Sequence, residues 1–154
     1  MSRLEPGDPA PEFTLSADDG SVVSSADLAG ARYALYFYPE DDTPGCTAQA
    51  CGLRDRWSRV SETGVPVFGV SPDSVASHAK FRRKYGLPYP LLADEGHRLA
   101  EAYGVWVAKK FAGREYHGNE RTTFVVDADG RVQRVLPRVK PQEHADLLLE
   151  ALAA

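Results

Sequence analysis

The chain has 154 residues, 43% of them hydrophobic and 26% charged. That length and balance suit a single globular domain over residues 1–154 and exclude a fibrous or disordered chain. Eighteen basic against 22 acidic side chains give a net charge of −4, divided as −7 over residues 1–79 and +3 over residues 80–154.

The one basic cluster, Lys80-Phe81-Arg82-Arg83-Lys84, reads as a solvated helix face, so no nucleic-acid partner is expected. The longest purely apolar-aromatic stretch is Tyr33 to Tyr38. A membrane helix needs about 20 such residues, so no membrane association is expected either. The opening Met1 to Asp8 has no apolar signal-peptide core, and a cytoplasmic location is the default.

Phe13-Thr14-Leu15 and Val22-Val23 read as a short hairpin about the turn Asp18-Asp19-Gly20, and Ser25 is placed to cap a turn over Asp27-Leu28. Tyr33 to Tyr38 is a nearly unbroken apolar run, as expected of a central strand covered on both faces. Residues 44–63 suit a helix with Thr43 at its N-cap, Pro44 at its first position and Gly64 after its end.

Val65 to Val70 is a second buried strand, and a helix starts at Ser71-Pro72-Asp73-Ser74 and ends near Tyr85-Gly86. A turn at Pro88 and Pro90 leads to Leu91-Leu92, and residues 97–103 form a short helix closed by Gly104. Thr122 to Val126 and Val132 to Leu136 form a hairpin, and a last helix opens at Pro141. This order predicts an α/β thioredoxin-like sandwich. Helices flank a mixed central sheet, an N-terminal β-hairpin extends it, and an insertion lies around residues 87–118.

The segment Pro39-Glu40-Asp41-Asp42-Thr43-Pro44-Gly45-Cys46-Thr47-Ala48-Gln49-Ala50-Cys51 carries the chemistry. Following a strand and opening a helix, it places Cys46 in the first helical turn. Unpaired N–H groups and the positive end of the helix dipole there stabilise a thiolate, the nucleophilic form. Cys51 is five residues further on, about 7.5 Å along the axis and about 140° around it. Disulfide geometry needs Cα atoms within about 7 Å, so a bond between the two cysteines requires the helix to unwind.

Metal binding is the other use of paired cysteines, but His78, His97, His117 and His144 are scattered singly and supply no second ligand pair. Neither a metal nor another cofactor is expected. A Cys–His nucleophile pair stays open at this level, because any of the four histidines can approach in space. The absent Cys-x-x-Cys argues against a general disulfide reductase.

Pro39-x-x-x-Thr43-x-x-Cys46 resembles the peroxiredoxin signature. The fuller string Phe37-Tyr38-Pro39, Thr43-Pro44-Gly45-Cys46-Thr47 and Cys51 is similar to the PrxQ branch, also called bacterioferritin comigratory protein. So are Gly7 to Leu15, Gly69-Val70-Ser71, Tyr103-Gly104-Val105-Trp106 and Arg121 to Asp127. The resemblance implies a thiol peroxidase for hydrogen peroxide and organic hydroperoxides, acting in antioxidant defence.

On that resemblance Cys46 is the peroxidatic cysteine, oxidised to a sulfenic acid. Thr43 bonds the sulfur and the peroxide, Pro39 shields the pocket, and Arg121 supplies the guanidinium. Cys51 is the resolving cysteine of an intrasubunit disulfide, with thioredoxin or a similar dithiol as reductant and a monomer as the working unit. Glu40-Asp41-Asp42 reads first as a solvated loop; the alternative is that its charge opposes the thiolate and biases the site modestly toward neutral peroxides.

Overall fold

The computed structural model describes residues 2–153. Seven strands form one twisted sheet: β1 (Thr14–Ala17), β2 (Val22–Ser24), β3 (Tyr33–Phe37), β4 (Val67–Ser71), β5 (Leu91–Ala93), β8 (Thr122–Val126) and β9 (Val132–Leu136). Their spatial order is β2-β1-β5-β4-β3-β8-β9. β3, β4 and β5 run parallel, while β1, β2, β8 and β9 join antiparallel. Two further strands, β6 (Trp106–Phe111) and β7 (Arg114–Asn119), form a separate hairpin.

Every residue of β3, β4 and β8 is buried, which is why these strands read as mostly apolar runs rather than alternating ones. Successive side chains still point to opposite faces. Ala34, Tyr36 and Tyr38 join a core with Leu53, Val60, Phe81 and Leu148, under α2 (Pro44–Asp55), α3 (Trp57–Glu62), α4 (Val75–Tyr85) and α6 (His144–Ala153). Tyr33, Leu35 and Phe37 face a second core with Leu99, Tyr103 and Phe124, covered by α5 (Arg98–Tyr103). Full burial of each large side chain is worth about 1.5–3 kcal/mol, so the two faces of β3 anchor the fold.

The thioredoxin-like sandwich is present, with local corrections. The expected helix over 44–63 is two helices, because the backbone at Arg56 (φ −110°, ψ 14°) leaves helical values. After the break Trp57 lies 5.3 Å from the ring of Tyr89. Ser24, not Ser25, caps α1 (Ser25–Leu28), its hydroxyl accepting from the Asp27 N–H at 3.3 Å. The N-terminal hairpin is a continuous edge of the main sheet, through pairing of Ser16 and Ala17 with Ala93 and Leu92. The insertion holds β5, α5 and the β6–β7 hairpin. Asn119 at the base of that hairpin donates to the Tyr38 carbonyl at 3.1 Å, which fixes the hairpin beside the end of β3.

Candidate active site

Strand β3 ends just before Pro39, and the chain turns through residues 40–43 into α2. Pro44 occupies the first turn and has no N–H to offer. Helical hydrogen bonding begins with Thr47 N–H to the Thr43 carbonyl at 2.8 Å. The N–H groups of Gly45 and Cys46 precede that bond and point out of the helix end. Cys46 is buried, with 2% of its surface exposed, and no acidic side chain lies in this turn.

Arg121, immediately before β8, brings its guanidinium to the sulfur. Nη1 donates to Cys46 Sγ at 3.4 Å and to Gln49 Oε1 at 2.7 Å. Gln49 is buried one helical turn after Cys46, so the two side chains share a face. A Cβ at Gly45 would lie 3.1 Å from Arg121 Nη2; glycine there makes room for the guanidinium. Cys46 and Arg121, 75 residues apart in sequence, therefore meet. Gln49 is a site residue that the sequence reading misses, although its spacing of three from Cys46 is the available signal.

The other expected residues have distinct placements. Thr43 is the N-cap by position, but its hydroxyl does not cap the helix; it donates to the Glu40 carbonyl at 2.9 Å. Pro39 is half-buried at the end of β3. Cys51 is half-buried and, like Cys46, unbonded to another cysteine. Both cysteines lie in α2, which keeps them apart while it is wound.

The acidic run is a solvated loop only in part, with Glu40 and Asp42 exposed and Asp41 buried. Asp42 is paired with Lys84 while exposed, and among the described residues Glu40 has no ion pair. Lys84 and Tyr85 bond the Asp42 carboxyl at 2.8 Å each and hold it below its ordinary range. Asp41 accepts from Ser77 Oγ at 2.8 Å and lies 2.7 Å from His78 Nδ1.

Lys109, half-buried on β6, is pulled below its ordinary value by burial and then by Arg121, while Cys46 and Glu120 act in the opposite sense.

Beneath the site, Tyr36 bonds Tyr89 at 2.9 Å, and Tyr89 donates to the Ala50 carbonyl at 3.1 Å. Burial keeps the Tyr36 phenol protonated, well above its ordinary value. His144 lies 2.8 Å from Thr123 Oγ1 and 5.2 Å from the Tyr36 ring. Burial and Arg121 push it down to about 3, so it is neutral at pH 7. Among the described residues, Arg121 is the side chain hydrogen-bonded to Cys46, and no histidine takes that place. The set that could approach a cation is Asp41, Asp73 and His78, with ligand atoms within 4.8 Å of one another.

This geometry can do nucleophilic sulfur chemistry at a site that presents donors to a developing negative charge. The family model described as AhpC/TSA family matches residues 6–135. Peroxiredoxin Bcp of Bacillus subtilis is 44% identical, over 97% of this chain and 95% of its own. Peroxiredoxin Bcp of Escherichia coli is 43% identical, over 99% and 97%.

Among solved structures, a cysteine-to-serine mutant of Xylella fastidiosa PrxQ superposes with a TM-score of 0.91 at 29% identity, covering 99% of this chain and 98% of that one. The Xanthomonas campestris bacterioferritin comigratory protein gives 0.88 at 33% identity, covering 97% and 98%. The chain belongs to the AhpC/TSA family and, within it, to the Bcp/PrxQ peroxiredoxins, which are thiol peroxidases.

Proposed function

We propose that the protein reduces hydrogen peroxide and organic hydroperoxides through Cys46, with Cys51 as the resolving cysteine and thioredoxin or a similar dithiol as reductant. The observation that carries this reading is the Arg121 guanidinium on Cys46 Sγ at 3.4 Å, in the first turn of α2. The Cys46 thiolate attacks one peroxide oxygen, an S–O bond forms as the O–O bond breaks, and an alcohol or water leaves after protonation. Cys46 becomes a sulfenic acid.

Arg121 and the N–H groups of the helix end stabilise the oxyanion that develops on the leaving oxygen. Gln49, bonded to the same Nη1, orients the guanidinium. Thr43, whose proton is committed to Glu40, accepts from the hydroperoxide O–H, and Pro39 walls the pocket. The first turns of α2 then unwind, Cys51 sulfur attacks Cys46 sulfur, and water leaves as the disulfide forms. A dithiol reductant restores both thiols by exchange.

The Xanthomonas campestris relative is described as having alkyl peroxide reduction activity, which supports organic hydroperoxides as substrates here. The same reading takes the chain as one domain over residues 1–154, working as a monomer in the cytoplasm.

Peroxide consumption coupled to thioredoxin, thioredoxin reductase and NADPH tests it. Cys46→Ser abolishes turnover, and Cys51→Ser oxidises once normally but recycles slowly. Wild-type rates of thioredoxin-dependent recycling in Cys51→Ser would remove the resolving assignment. Stoichiometric oxidation without turnover would instead mean a redox sensor.

A further inference from the structure

His78 lies on α4 with no exposed side-chain surface, and Asp41, in the loop before α2, exposes 4% of its side chain. Their 2.7 Å contact is the centre of a buried network. Asp41 Oδ1 accepts from Tyr38 OH, and Oδ2 accepts from Ser77 Oγ at 2.8 Å. His78 Nε2 lies 2.9 Å from the Leu92 carbonyl. A carbonyl only accepts, so Nε2 carries a proton.

The Asp41 backbone is held as well, its N–H donating to Asp73 Oδ2 at 2.8 Å, where Ser71 Oγ also donates at 2.6 Å. Asp42 follows in the left-handed region at φ 56°. Such a conformation persists in a non-glycine residue where its surroundings over-determine it, and the bonds from Lys84 and Tyr85 do so. The short loop is therefore gripped by the first turns of α4 through Asp41 and by its last turn through Asp42. Four residues after Asp42 comes Cys46.

We propose that Asp41 and His78 are a positioning pair for the peroxide reaction. By tying the loop to α4 they hold Cys46 in its wound, peroxide-reactive geometry and oppose the unwinding that lets Cys51 reach it. This rests on the reading of Cys46 as peroxidatic and Cys51 as resolving.

A cation bridging Asp41, Asp73 and His78 fits less well. The facing oxygens already accept from Tyr38, Ser77, Ser71 and the Asp41 N–H, and Nδ1 of His78 is engaged by Asp41. The pair acts through the backbone and touches no reacting atom. Its loss has opposite effects on the two steps: misplacing Cys46 slows the attack on peroxide, while a larger unwound population speeds disulfide formation. General destabilisation of the fold produces no such pair of opposite changes.

The test uses the full-length reduced protein as wild type, Asp41→Asn, His78→Gln and the double variant. Single-turnover kinetics without reductant read the rate of Cys46 oxidation by hydrogen peroxide and the rate of disulfide formation that follows. Sulfinic acid at Cys46 is measured at one fixed high peroxide concentration. Oxidation falls about tenfold in either variant, disulfide formation rises about threefold, and the sulfinic fraction drops. The double variant is no worse than the worse single one, because the two residues act as a unit.

Ser77→Ala, which removes one donor to Asp41 and leaves the pair in place, shifts both rates in the same directions by less. It carries the test if the other variants do not fold. Both rates within about twofold of wild type in folded variants would overturn the positioning role. Failure of wild-type Cys46 to oxidise would instead overturn the proposed peroxidase reading, so the two failures are distinguishable.

Discussion

His144 ties the stability of the fold to pH through a buried neutral imidazole under the active site. Tyr36 from β3, Thr123 from β8 and the charge of Arg121 surround it. Burial, reinforced by Arg121, pushes it down to about 3 in the folded chain. An unfolded histidine titrates near about 6.5, so below that pH the unfolded chain takes up a proton that the folded chain refuses. Stability therefore falls as pH drops from about 6.5 toward about 3, and it is unaffected by this group above that window.

At pH 4 the deficit is about 2.5 pH units at about 1.4 kcal/mol each, or about 3 kcal/mol, a large share of a typical total of about 5–15 kcal/mol. Urea unfolding of wild type and His144→Gln at pH 7, 6, 5 and 4 measures it. The glutamine amide can still meet Thr123 and does not titrate, and the carboxylates shared by both proteins cancel in the difference. Wild type loses about 3 kcal/mol relative to the variant between pH 7 and pH 4. Two parallel stability curves would refute the argument.

Arg121→Lys keeps the charge but loses the planar guanidinium whose Nη1 bonds both Cys46 and Gln49; the rate of Cys46 oxidation, followed by stopped flow, falls about 100-fold. Gly69→Ala puts a Cβ 2.7 Å from Leu91 Cδ2 and 3.0 Å from Tyr36 Cζ in the middle of the sheet. It lowers stability by about 2 kcal/mol, read as a lower urea midpoint at unchanged slope. Because Asp41 and Asp42 are engaged while Arg121 bonds the sulfur and Lys109 interacts with it electrostatically, a carboxylate-bearing hydroperoxide reacts at least as fast as a neutral alkyl hydroperoxide at low salt. That advantage shrinks with added salt and with Lys109→Met; a constant preference for the neutral peroxide would restore the reading of an acidic loop.

The strands that build the centre of the sheet are legible because full burial writes them without alternation, Tyr33 to Tyr38 as an apolar run and Thr122 to Val126 as a β-branched and aromatic one. The β6–β7 hairpin is not. Its turn places Ala112 at φ 52° and Gly113 at φ 80°, and an alanine gives no sequence signal for a positive φ. Its strands are largely exposed and carry no clean alternation.

The break at Arg56 is hidden for a related reason: Ala50, Leu53, Trp57 and Val60 keep helical spacing across it. The placement of Cys46 in a helical first turn is readable from Thr43-Pro44, whereas the approach of Arg121 depends on a contact across 75 residues and is suggested only by the family resemblance. The acidic run shows the limit of composition most plainly. Glu40, Asp41 and Asp42 look alike in sequence, yet Asp41 is buried against α4, Asp42 is exposed but paired with Lys84, and Glu40 is exposed.

Everything proposed for the reaction turns on Cys46 as the nucleophile that meets the peroxide. Mass-spectrometric mapping of both cysteines after one equivalent of hydrogen peroxide, with a sulfenic-acid trap present, addresses it without any coupled enzyme. In Cys51→Ser the trap labels Cys46, and in wild type the two cysteines appear within one chain as a Cys46–Cys51 disulfide. First oxidation at Cys51, or no oxidation at Cys46, would contradict this chemistry.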